Sequence, residues 1–398
     1  METKGKEIAF TWPKGFTSDA LHIGLRQKKL DFGWIVSDVP AAAAGVYTLN
    51  QFCAAPTAKT KQLIKTNHYL QALVMNSAIA NACTGEQGMQ DVQLTQELAA
   101  KKLGISPELV GIASTGLIGA YLPMEKIKKG ITQLAQTQNT AITSAILTTD
   151  TVEKTICMTS EIAGERCTFT GLAKGSGMIH PNMATMLGFV MTDCAISPEA
   201  LQQILSELTD QTFNQITVDG DISTNDMVVC LANGQAKNSM IEIDSPEYEE
   251  VKAIYHHVLE TLAKAIAKDG EGATKLVEVC VKQAQTKLDA QQAAKAIVGS
   301  SLVKSAIFGA DPNWGRIISS LGATTIALDP TNVSVAINGH VVVEHSQAID
   351  FDEAMISQTL KNEEILIDVT LHMGTQEAKA WGCDLTYDYV RINATYTT

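Results

Sequence analysis

Apolar positions recur along this chain with two periods, a helical one near 3.6 residues and a strand-like one of two or of short continuous runs, and the two kinds alternate. Helical spacing marks Val92, Leu94, Leu98 and Ala99, with Asp91 as the cap and an end near Gly104. It returns at Met124, Ile127, Ile131 and Leu134, with helix continuing over 143–147, and at Leu201, Ile204, Leu205 and Leu208 behind the start signal Ser197-Pro198-Glu199. Ser245-Pro246-Glu247 opens a long helix through Ala267, and shorter ones are expected over 289–297, over 301–307 and after Arg316. Strands are expected over 73–75, 110–113, 189–191 and 276–281, and as hairpins 155–159 with 167–170 around Ala163-Gly164 and 333–337 with 340–344 around Asn338-Gly339. Residues 365–372 and 378–385 read as a further antiparallel pair, and Phe10 to Pro56 as strands and turns. Strands interspersed with helices imply a layered α/β sandwich with mixed sheets. No repeat interrupts it, and a structural boundary is placed near residue 285.

Between these elements lie segments too rich in small and polar residues for plain connections. Lys174 to Gly188 sets Gly175, Ser176 and Gly177 before His180-Pro181-Asn-Met-Ala184-Thr185, and an apolar run containing Gly188 follows. The glycines widen the backbone's choices while Pro181 restricts itself and His180, which makes a shaped loop around one hydroxyl, Thr185. Asn76 to Gly85 reads as a packed loop or as support for a site. Ser114-Thr115-Gly116 at a strand end can present a hydroxyl and an N–H to an anion, or be only a turn. Thr148 to Thr151 can cap, turn or bind, and Asp219 to Asp226 is structural or site-supporting. Glu271, between two glycines, can grip an ammonium or close a helix.

Composition narrows the class. The 398 residues are 45% hydrophobic and 18% charged, enough for one large layered domain or two smaller ones and far from a disordered chain. A net charge of −13 without a basic run argues against nucleic acid as partner. Eight cysteines without a C-x-x-C read as reduced thiols, the dispersed histidines give no metal site, and no apolar stretch reaches the length of a membrane span. A cytoplasmic enzyme without metal or resident cofactor is expected.

Familiar phosphate-loop and serine-nucleophile motifs do not account for the loop, and His180 is open as a base or as a packing residue. Gly175-Ser-Gly177 starts a dinucleotide fingerprint, yet His180 stands at the third glycine; Lys174 precedes the glycines where a P-loop lysine follows them; and no G-x-S-x-G elbow exists. A threonine hydroxyl needs a base held against it. If the Ala184–Thr185 bond is cut, the new α-amino group of Thr185 is that base, with a reference pKa of about 7.7–8.0. The hydroxyl itself can make the cut by attacking the Ala184 carbonyl, given a strained loop and a stabilised oxyanion.

Lys174-Gly-Ser-Gly-Met-Ile-His-Pro-Asn-Met-Ala-Thr-Met-Leu resembles the autoprocessing motif of the ornithine acetyltransferase (glutamate N-acetyltransferase) family of arginine biosynthesis. The resemblance extends through Asn76 to Gly85, Ala113 to Gly116, Thr148 to Thr151, Asp269 to Lys275, Asp311 to Arg316 and Tyr389 to Asn393. It implies Thr185 as the nucleophile, acetylated by N2-acetylornithine and discharged by glutamate in a ping-pong cycle, and Thr115 with Gly116 as the oxyanion hole. Substrate contacts would fall to Thr151 (or its neighbours Thr148 and Thr149), Lys174, Thr185, Glu271, Asn393 and Thr398. The implied architecture is an α chain, residues 1–184, and a β chain, residues 185–398, paired as a heterotetramer in a fold shared with self-cleaving aminopeptidases. Acetyl-CoA as a second donor is left open by these motifs. The rival reading is a threonine hydrolase or aminopeptidase, in which water discharges the acyl group.

Overall fold

Hydrophobic runs of two kinds fold into two sheets in the computed structural model, which describes residues 5–180 and 186–395. The larger sheet takes the continuous runs. Its strands are Lys6–Glu7 (β1), Phe16–Leu21 (β2), Phe32–Tyr47 (β3), Tyr69–Asn76 (β4), Val110–Ser114 (β5), Lys154–Ile162 (β6), Glu165–Lys174 (β7), Leu187–Thr192 (β8) and Met227–Ala232 (β9). They lie in the order β1-β6-β7-β8-β9-β3-β4-β5, with β2 on β3. The central strands β8 and β9 are parallel to each other, and every residue in both is buried. Alternate side chains serve two cores: Leu187, Phe189 and Met191 pack with Met227, Val229 and Leu231 on one face, while Val190, Val228 and Cys230 meet helices Pro198–Thr209 and Tyr248–Lys268 on the other. A sheet covered on both faces needs apolar residues at every position, which is why these strands show no alternation.

The smaller sheet shows alternation. Leu276–Ala284 (β10), Ser334–Ile337 (β11), His340–Glu344 (β12), Gln347–Ala348 (β13), Glu364–Thr370 (β14) and Gln376–Cys383 (β15) run in the order β13-β12-β11-β14-β10-β15. Ile365, Ile367 and Val369 point to a core shared with helix Lys287–Gly299, and the residues between them point outward.

The layered α/β class is as expected, with corrections inside it. The segments around 365–372 and 378–385 are not paired with each other: β10 lies between them, parallel to β14 and antiparallel to β15. The connection crosses the end of β10, where the Met373 and Gly374 amides donate to the Gln283 carbonyl at 2.8 and 2.9 Å. Asp91 is no cap. Its helix starts at Gly85, and Asp91 sits buried inside it, accepting from Gln87 Nε2 at 2.9 Å. Pro56 does not close a strand region; it stands in the first turn of helix Ala55–Asn67, where a missing N–H breaks no helical bond. The signals with strict local geometry match: Ser197 Oγ accepts from the Ala200 amide at 3.3 Å, and Asn338 and Gly339 take φ of 47° and 82°. Among the described residues no helix is long and apolar enough to cross a membrane.

Candidate active site

Strands β7 and β8 are antiparallel neighbours in which Lys174 faces Leu187, so the glycine loop 175–186 is the connection between two central strands. Its described ends are fixed on both sides. Asp219 accepts from the Met178 and Ile179 amides at 2.7 and 2.9 Å, the Val218 amide reaches the Ile179 carbonyl at 2.7 Å, and the Met227 amide holds the Met186 carbonyl at 2.9 Å. The acidic turn 219–226 therefore supports the loop. Met178 takes φ 56°, a cost for a residue with a Cβ that these bonds offset. Thr185, Ala184 and Pro181, the heart of the loop, lie outside the described residues, as does Thr398.

The loop borders a cavity of about 300 Å³ lined by Thr115, Gly116, Lys174, Glu271 and Asn393, residues spread across most of the chain, together with Thr148, Thr149 and Asp226. Each arrives on a different element. Thr115 and Gly116 follow β5; their neighbouring amides are committed, Thr115 N to the Asn76 carbonyl at 3.1 Å and Leu117 N to the Ala78 carbonyl at 2.9 Å. The Gly116 N–H between them has no acceptor among the described residues. Gly116 needs its missing side chain: its φ is 132°, and a Cβ would collide with the Ala78 carbonyl group. The loop beneath is built for this turn. Asn76 Oδ1 accepts from Ser114 Oγ at 2.6 Å, and Asn225 Nδ2 donates to the Ala80 and Ser114 carbonyls at 2.6 and 2.9 Å. Of the two readings of Asn76 to Gly85, packed loop or site support, the hydrogen bonds favour support.

Lys174 ends β7, is 7% exposed, and donates to Thr115 Oγ1 at 3.3 Å. Burial pushes its ammonium below the usual lysine range, while Asp150, and behind it Asp226 and Glu271, pull it back up. Asp150 would itself be raised by burial, but Lys174, Lys154 and hydrogen bonds from Lys154 and the Gly175 amide hold it well below the usual carboxylate range. Lys154 lies between two carboxylates, Asp150 at 2.8 Å and Asp269 at 2.5 Å, with all three side chains at most 7% exposed. This buried cluster, invisible in the sequence, fixes the start of the loop to the end of helix Tyr248–Lys268.

Glu271 is delivered by the turn after that helix. The Glu271 amide donates to the Ser176 carbonyl at 3.0 Å, and Asn393 Nδ2, on helix Tyr387–Thr395, donates to Glu271 Oε2 at 2.7 Å. Gly177 leaves room for the Glu271 carboxylate, which a Cβ there would strike. Thr151 is not brought to the cavity: its amide and hydroxyl both donate to the Asp269 carboxylate, and Thr148 and Thr149 face the cavity in its place. His180 pairs with Thr217 at 2.9 Å and lines a separate surface cleft with Lys295. Burial first, then Lys295, lowers its pKa to about 4, so it is neutral at pH 7.

A buried ammonium, a hydroxyl, an uncommitted N–H and a carboxylate converging on a small cavity are the equipment of an enzyme for a small charged substrate that develops negative charge on reaction. The chain belongs to the ArgJ family, a family of arginine-biosynthesis enzymes, whose model matches residues 17–398. It is 59% identical to the arginine biosynthesis bifunctional protein ArgJ of Lactiplantibacillus plantarum, over 100% of this chain and 98% of that protein. In the crystal structure of the ArgJ protein of Bacillus halodurans, the matched chain is covered in full by 53% of this chain, at 48% identity and a TM-score of 0.52. The ornithine acetyltransferase of Mycobacterium tuberculosis, solved in complex with ornithine, matches 46% of this chain at 33% identity and a TM-score of 0.42.

Proposed function

We propose that this protein transfers an acetyl group from N2-acetylornithine to glutamate through an acetyl ester on Thr185, releasing ornithine and N-acetylglutamate. The observation that carries the reading is the convergence of Thr115, Gly116, Lys174, Glu271 and Asn393 on one cavity beside the loop that contains Thr185. Thr115 Oγ1 and the Gly116 N–H are set to hold the oxyanion formed when a carbonyl is attacked at this place. Lys174 matches the α-carboxylate common to donor and acceptor, and Glu271, oriented by Asn393, matches the δ-ammonium of acetylornithine. The turn Thr148 to Thr151 contributes hydroxyls from Thr148 and Thr149, with Thr151 holding the turn to Asp269. Thr398 completes the substrate contacts. The relatives' description as bifunctional supports acetyl-CoA as a second donor, used as a co-substrate.

The nucleophile is freed by cleavage between Ala184 and Thr185, which gives an α chain of residues 1–184 and a β chain of residues 185–398. The sheet order supports this. A break in the β7–β8 connection severs no ladder, and β8 and β9 of the second product sit between β7 and β3 of the first. The products would stay interleaved, and a heterotetramer of two such pairs is the proposed assembly. The Bacillus halodurans chain, matched in full by 53% of this one, has about the extent of a single product. The test is denaturing mass spectrometry. Two fragments divided after Ala184 are expected, with N-acetylornithine adding one acetyl group to Thr185 and glutamate removing it. An intact chain overturns the mechanism, and discharge by water as fast as by glutamate makes the protein a hydrolase.

A further inference from the structure

Asp226 stands at the threshold of β9, one residue before the Met227 amide that holds the Met186 carbonyl at 2.9 Å, and so beside the start of the proposed β chain. It lines the reaction cavity, is 2% exposed, and its Oδ2 has no hydrogen-bond partner among the described residues. A buried carboxyl oxygen without a partner is costly, and at a cavity wall it points to a partner that arrives with the reaction. Lys174 acts on its charge and lines the same cavity, which Glu271 also lines, and the Cys53 thiol feels the Asp226 charge. Burial raises Asp226 well above the usual carboxylate range, against hydrogen bonds from Ser223 and the Lys174 charge, a shift that favours its neutral form.

The proposed ping-pong cycle has a proton to store. Ornithine departs as an ammonium ion and glutamate arrives as one, yet glutamate must be a free amine to attack the ester. The site therefore supplies one proton in the first half-reaction and recovers it in the second.

We propose that Asp226 is the catalytic residue that stores this proton: its carboxyl protonates the departing amine of ornithine, and the resulting carboxylate takes the proton from the ammonium of glutamate. In the first half the C–N bond of the acetyl donor breaks as the Thr185 ester forms, and the leaving nitrogen gains two protons, one from the Thr185 hydroxyl and one from the Asp226 carboxyl, and departs as an ammonium ion. In the second the glutamate ammonium gives one proton to the carboxylate, the amine attacks the ester carbonyl, and the further N–H proton lost as the amide forms returns to the Thr185 oxygen. The inference rests on the acetyl-threonine reading above.

Infrared difference spectra of wild-type enzyme labelled with carbon-13 aspartate test it without a variant. Acetylation by N-acetylornithine should remove one protonated-aspartate carbonyl band, and glutamate should restore it. Acetylated Thr185 with an unchanged aspartate band overturns this proposal alone, whereas wild-type enzyme that never gains the acetyl group overturns the underlying reading and this one with it. In D226N, discharge of the acetyl enzyme by glutamate should slow about 100-fold, the usual scale of general acid–base catalysis, and the pH dependence of that step should change. Discharge by hydroxylamine, an amine already unprotonated at neutral pH, should stay within about twofold of wild type. Equal slowing with both amines, at an unaltered pH profile, would make Asp226 a structural residue and overturn the proposal.

Discussion

The two sheets bury charge in opposite ways. In the nine-stranded sheet, Lys154, Asp150, Lys174 and Asp226 all lie inside, gathered at one end of β6, β7 and β9. In the six-stranded sheet the corresponding charges, Glu278, Lys282, Asp368 and Lys379, sit on the outer face, paired across strands and partly in water. Removing a charge from water costs several kcal/mol, so a fold keeps such groups inside only where they are held by partners or serve a reaction. The first sheet carries the site. The second supports it from the flanks, bringing Glu271 on the turn before β10 and Asn393 on the helix after β15 to the same cavity.

The sharpest break of this comparison is Thr185→Ala, for which a single uncut chain with no acetyl transfer is expected, read by denaturing mass and by assay; the variant should fold, because no ladder residue changes. Next, Gly116→Ala should cost about 10²- to 10³-fold in kcat by displacing the N–H proposed as oxyanion donor, with thermal stability reported beside it, since the new Cβ meets the Ala78 backbone. A full rate would remove Gly116 from the site.

Lys154→Met asks whether buried charge in the first sheet is held as tightly as its geometry implies. It leaves Asp150 and Asp269 without their shared cation, and a loss of about 3–5 kcal/mol in urea unfolding is expected. The matching change in the second sheet, Lys282→Ala, removes a partner of Asp368 that is itself half exposed, and about 1 kcal/mol or less is expected. Similar losses from the two would erase the distinction between the sheets.

The smallest effect concerns acid. Burial alone would raise Glu278, but hydrogen bonds from Lys379 and Trp381 and the Lys264 charge bring it down to about 2 from an ordinary 4.5. A carboxylate lowered on folding contributes stability that is present above its ordinary pKa and is lost as pH falls through the folded one. Glu278→Gln should therefore flatten the fall in stability between about pH 4.5 and 2. An unchanged acid transition would show that this pair does not contribute.

Locally dictated features were legible in the sequence because their causes are local. Asn338-Gly339 demands a turn with positive φ, and Ser197-Pro198 starts a helix. The run from Lys174 to Thr185 likewise carried its own chemistry, and the family is confirmed by a match from residue 17 to 398.

What the sequence left open depends on contacts between distant segments. The motif at Thr148 to Thr151 could not say which threonine turns inward; Asp269, 118 residues from Thr151, decides it by holding that side chain away from the cavity. The pairing of β14 and β15 looked local and is not, because β10 satisfies the edges of both. Asp226 read as one acid in a polar turn until the sheet placed it on the cavity wall, buried and with one carboxyl oxygen unpartnered among the described residues. Sequence determined which residues carry chemistry and which local shapes they take. Burial and strand order are sums over the whole chain, so only the tertiary structure decided which of those residues meet and in what state of charge.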